Sequence, residues 1–81
     1  MAPAADLFHR IDEPASAEVR RRASALGLLG RLALRNVHFE SHAAALAAHG
    51  GGETPALWDG AVLHRGREAV LAALERMARG G

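Results

Sequence analysis

Segments patterned as strands and segments with helical periodicity follow one another in the order β-α-β-α-β-β-α, and that order leaves few folds open. Leu7 to Ile11 reads as a short first strand. Asp12-Glu13 precedes Pro14, which suits the first helical turn because its missing N–H has no partner there anyway. The helix is expected from Pro14 to about Leu26, with Ala15, Val19, Ala23 and Leu26 on one face and Gly27 as a left-handed stop. A second strand is expected from Leu32 to Val37, with Leu32 and Leu34 alternating against Ala33 and Arg35. Ser41 is placed to cap an Ala-rich helix over residues 42–48, ended by Gly50-Gly51-Gly52. Pro55 to Trp58 reads as a third strand, and Asp59-Gly60 as a two-residue hairpin turn into Ala61 to His64. Gly66 breaks the chain before a last helix over residues 67–79, whose Val70, Leu71, Leu74 and Met77 recur at helical spacing. The first half is a βαβ unit and the second a hairpin with a covering helix, so the reading is one α/β domain, a four-stranded mixed sheet with three helices, over residues 1–81.

No cysteine occurs in the 81 residues, so one small core must hold the domain without a disulfide. A domain of this size buries roughly 60–65% of the surface its unfolded chain exposes. Lack of cysteine, lack of a basic and apolar leader at Met1 to Asp6, and lack of any run near the ~20 apolar residues of a bilayer span lead to the expectation of a cytoplasmic chain away from membranes. Ten basic and nine acidic residues leave a formal charge of +1, which gives no electrostatic footprint for nucleic acid. Every basic residue is Arg, and Ala and Gly abound, which points to the codon bias of a GC-rich, bacterial genome.

The order of elements, the length, Glu13-Pro14-Ala15-Ser16 and Thr54-Pro55 together resemble a glutaredoxin, the smallest form of the thioredoxin fold. The resemblance spans almost the whole chain and implies a thioredoxin-like α/β architecture. In that family Cys-Pro-x-Cys opens the first helix. Here Glu13 stands for the first cysteine and Ser16 for the second, while Pro14 is kept. A family lysine that helps hold a glutathione carboxylate corresponds to Arg10, and the family's cis-proline to Pro55. The glycine pair and acidic residues that receive the γ-glutamyl end are reduced to Gly66 and Glu68 within Arg65-Gly66-Arg67-Glu68. Without a thiolate nucleophile, family-style thiol–disulfide exchange is ruled out.

The resemblance therefore implies a redox-inactive binding or interaction module for an anionic peptide or a protein partner. Its cleft would comprise Arg10, Glu13, Pro14, Ser16, Thr54, Pro55, Gly66, Arg67 and Glu68. No cofactor is expected beyond non-covalent glutathione. A second reading takes the chain as a glutathione-binding, transferase-like enzyme in which Ser16 stabilises the glutathione thiolate; this requires Ser16 to face the cleft and Glu13 to turn away. A third is a structural domain that dimerises or docks through a sheet edge or Trp58. The plainer reading of Asp12-Glu13 is helix capping, which accounts for both acids.

Other motifs carry less. His49-Gly50-Gly51-Gly52 matches an esterase oxyanion loop, but no Gly-x-Ser-x-Gly elbow accompanies it. His38 and His42 have i, i+4 spacing across a strand–helix junction with no third ligand, so no metal site is expected. Arg20-Arg21-Arg22 fan across about 200° of a helix and make no focused anion site. Trp58 is the sole tryptophan and reads as a core strand residue or an interface anchor.

Overall fold

The structure, a computed structural model, describes residues 3–80. Its elements are β1 (Ala5–His9), α1 (Pro14–Ala25), β2 (Leu32–Asn36), α2 (Glu40–Ala48), β3 (Ala56–Trp58), β4 (Leu63–Arg65) and α3 (Arg67–Ala78). They form one mixed four-stranded sheet of order β2-β1-β3-β4. β1 and β2 run parallel, and β3 lies antiparallel to both β1 and β4. No helix among the described residues is long and apolar enough to cross a membrane.

Alternation along the strands divides the apolar residues between two layers. Leu7, Leu32 and Leu57 pack under Val19 and Ala23 of α1 and Val70, Ala73 and Leu74 of α3. Phe8, Val37 and Ala56 form the other face with Leu46 of α2, and Trp58 and Leu63 pack against them. There the His49 ring stacks on Trp58 at 3.9 Å and 10°.

α1 stops through a Schellman turn. Gly27 sits at φ +72°, its N–H bonds Ser24 O, and the N–H of buried Leu28 reaches Ala23 O. A residue with a Cβ is strained at that dihedral, so the glycine is the stop.

Four expectations are corrected. β1 begins at Ala5 and ends at His9, because the Arg10 N–H bonds Ser16 Oγ at 3.1 Å instead of a neighbouring strand; Ile11, expected within the strand, is exposed. Leu34 is 43% exposed: β2 is the outer strand, and the helix layer that covers Leu7, its neighbour in register, does not reach it. α2 starts at Glu40 rather than after Ser41. Its N-cap is Phe39, which offers no side-chain acceptor, and the N–H groups of His42 and Ala43 turn back to Phe39 O.

The hairpin holds four residues between the paired Trp58 and Leu63, not two. Asp59 builds that turn with its side chain, since Oδ1 accepts the N–H groups of Ala61 and Val62 at 2.8 Å each. Oδ2 meets His64 Nε2 at 2.8 Å. The His64 bond, then those from Val62 and Ala61, hold the Asp59 carboxyl down at about 2.

Candidate functional site

The strand directions decide which loops meet. β1 and β2 are parallel, so the loops after His9 and Asn36 leave at the same end of the sheet. β3 runs the other way and begins at that end, with Ala56 opposite both Phe8 and Arg65. Residues 10–16, Thr54-Pro55 and residues 66–68 are thereby gathered at one end, where all three helices start. Open α/β sheets bind ligands at this end of their parallel strands.

Glu13 occupies the N-cap of α1 in an extended conformation, yet its side chain caps nothing. Its Oε1 instead accepts the Ser16 hydroxyl at 2.5 Å and the Thr54 hydroxyl at 2.8 Å. The capping reading of Glu13 thus gives way to a tie between α1 and the segment that enters β3. Two hydroxyl donors give the Glu13 carboxylate two charge-assisted bonds where a cap on one backbone N–H would give one. Oε2 has no partner among the described residues. No buried side-chain polar atom is left unpaired there, so Oε2 reaches solvent.

Ser16 has no exposed surface. Its hydroxyl gives its proton to Glu13 and accepts the Arg10 N–H, so both of its roles are taken. Neither orientation required for a thiolate-stabilising serine is present: Ser16 is enclosed, and Glu13 turns inward to it.

Thr54-Pro55 is a cis peptide. The Pro55 carbonyl accepts the Gly66 N–H at 2.9 Å, while the Thr54 N–H and C=O take no part in the backbone hydrogen bonds of the described residues. Gly66 caps α3 at φ +90°, and that dihedral holds it beside Pro55. Arg67 turns to α1, where its fork meets both Glu18 oxygens at 2.6 Å; this bond raises the Arg67 pKa and lowers that of Glu18. Its charge is therefore matched outside the cleft. Glu68 is exposed in the first turn of α3.

Arg10 is exposed and lines an open pocket of about 290 Å³ with Ile11, Asp12, Asn36 and His38. Ile11 is 66% exposed and Phe39, in the neighbouring loop, 59%. The Phe39 ring stands edge-on between His38 and His42. Sequence reasoning missed Ile11, Asn36 and Phe39 here, because Ile11 and Asn36 fall inside the expected strands and Phe39 in the unassigned gap before the expected cap. The flanking turn residues Asp12 and Asn36 were the available hint that both loops begin earlier.

The His42 Nδ1 meets Asn36 O at 3.0 Å, and no group of three or more His, Cys, Asp or Glu among the described residues could hold an ion. Arg20 and Arg22 point to separate partners, the β1 end and Glu75, as the fan of azimuths implies. No protein family, curated protein or solved structure matches the chain.

Proposed function

We propose that the chain is a cysteine-less, thioredoxin-like binding module of glutaredoxin size, which takes an extended segment of a partner protein at the carboxyl end of β1 and β2. The Thr54 backbone N–H and C=O, which have no partner among the described residues, carry this reading. They stand at the head of β3, where an extended chain can add main-chain hydrogen bonds. Beside them Glu13 Oε2 offers one acceptor to solvent, and the exposed Ile11 and Phe39 flank the polar pocket as apolar anchors. Glu13, Ser16 and Thr54 fix the backbone around the site, in the places where a family member would carry thiols and the residue before the cis-proline. The partner contact is chiefly a main-chain and apolar one: of the two cations expected in the cleft, Arg67 is engaged by Glu18, and Arg10 shares its pocket with the acidic Asp12.

Selection of displayed linear peptides against the immobilised protein tests this. Binders should shift the amide resonances of Arg10, Ile11, His38, Thr54 and Ala56, and Ile11→Asp should weaken them by about tenfold or more. Failure to obtain binders, or binders that map to the β2 edge, sinks the reading. A parallel titration with reduced glutathione separates the transferase-like alternative: shifts confined to residues 10–16, 54–56 and 66–69 would favour a glutathione site over a protein-docking one.

A further inference from the structure

His9 closes β1 one residue before the loop that carries Arg10, Ile11, Asp12 and Glu13, and its ring is buried, with 5% of the residue exposed. The Nδ1 atom lies 3.0 Å from Arg20 Nη1. A guanidinium is always a donor, so Nδ1 must accept; the ring is neutral, with its proton on Nε2. The same Arg20 nitrogen donates to Arg10 O at 3.0 Å. Arg10 is therefore gripped twice, by Arg20 through its carbonyl and by Ser16 through its N–H. Among the described residues the other titratable group acting on His9 is His42 of α2. From β2 the residue in register is Asn36, which carries no charge.

We propose that His9 and Arg20 form an acid-opened clasp on the loop of residues 10–13, in which a proton on His9 Nδ1 sets donor against donor, breaks the Arg20 contact and frees the Arg10 carbonyl. Burial first, then Arg20 and His42, hold the His9 pKa below its ordinary 6.5. The clasp is accordingly closed at neutral pH. The stability tied to neutral His9 is whole above about 6.5 and is lost as the pH falls through the lower folded-state value. Release of the loop moves Ile11 and loosens the Arg10–Ser16–Glu13 chain of bonds, so acid would remodel the docking end. That consequence rests on the proposed function; the clasp itself does not.

The test follows the His9 ring carbons and the amides of Arg10, Ile11 and Ser16 by nuclear magnetic resonance from neutral pH to about pH 5. Ring and amides should share one midpoint below 6.5. Protection of the Arg10 amide, corrected for intrinsic exchange, should fall about tenfold across it. His9→Asn, which keeps an acceptor near the Nδ1 position, should flatten the amide curves, whereas His42→Gln should keep the transition and move its midpoint slightly up. Arg20→Gln should raise the ring midpoint and uncouple the amides from it. A transition that survives in His9→Asn overturns the clasp, as does a ring that titrates without moving the loop. Should His9→Asn fail to fold, an unchanged midpoint in Arg20→Gln overturns it equally. Binding of a selected peptide at neutral pH is scored separately, so its absence counts against the docking reading and leaves the clasp standing.

Discussion

Ser16 shows how a single hydroxyl can matter more than its size. It is fully enclosed and joins a backbone donor to a carboxylate across the turn that opens α1. Ser16→Ala removes the acceptor from the Arg10 N–H and one donor from Glu13, while the methyl group keeps most of the packing. A buried donor left unpaired costs about 1–3 kcal/mol, so the urea midpoint of Ser16→Ala should fall by an equivalent amount. A variant as stable as the parent would mean that water replaces the hydroxyl and that the bond chain is incidental. Glu13→Gln is the informative companion, because it keeps an acceptor for both hydroxyls but drops the charge that strengthens those bonds.

At the level of elements, the start of α2 opposes stability to binding. Phe39 has the extended N-cap conformation but no side-chain acceptor to offer the first turn, and it holds 59% of its surface in solvent. Phe39→Ser supplies the missing acceptor and should stabilise the domain by about 1 kcal/mol in thermal or urea unfolding. The same change should weaken any peptide docked at this end, a trade of the kind expected where a binding residue overrides a local preference. A stabilised variant with undiminished binding would remove Phe39 from the docking surface. Element order and type were legible because strand and helix periods are distinct, and Pro14, Gly27 and Gly66 punctuate them where φ is constrained. What was not legible depends on where side chains send their hydrogen bonds. Asp59 lengthens its hairpin by taking two N–H groups onto one oxygen. Glu13 forgoes its cap for a residue 41 positions away in the chain. The gathering of the candidate residues at one end was implicit in the order of elements, but the pairing of Arg67 with Glu18 across α1 and α3 was not.

Taken whole, the molecule is two thin apolar layers on either side of one short sheet, with a Cα radius of gyration of 11.3 Å. Compact chains of this length come out at about 12 Å, so little interior is spare. Total stability for a domain of this length is about 4–12 kcal/mol, and one core leucine is a large share of it. Leu57, fully buried on β3 against α3, is such a residue. Leu57→Ala should cost about 2–5 kcal/mol, read as a loss of far-UV circular dichroism at lower denaturant. A loss well under 1 kcal/mol would indicate that the layer collapses around the gap. The two layers also differ in what they emit. Trp58 is the chain's sole tryptophan, no tyrosine accompanies it, and its indole lies flat on His49 at the end of α2. Intrinsic fluorescence therefore comes from the α2 layer alone, quenched or released by one imidazole, while circular dichroism reports all three helices. Coincident curves from the two signals would describe a single cooperative unit. An emission change that precedes the dichroism would reveal α2 peeling from the sheet before the α1–α3 layer gives way.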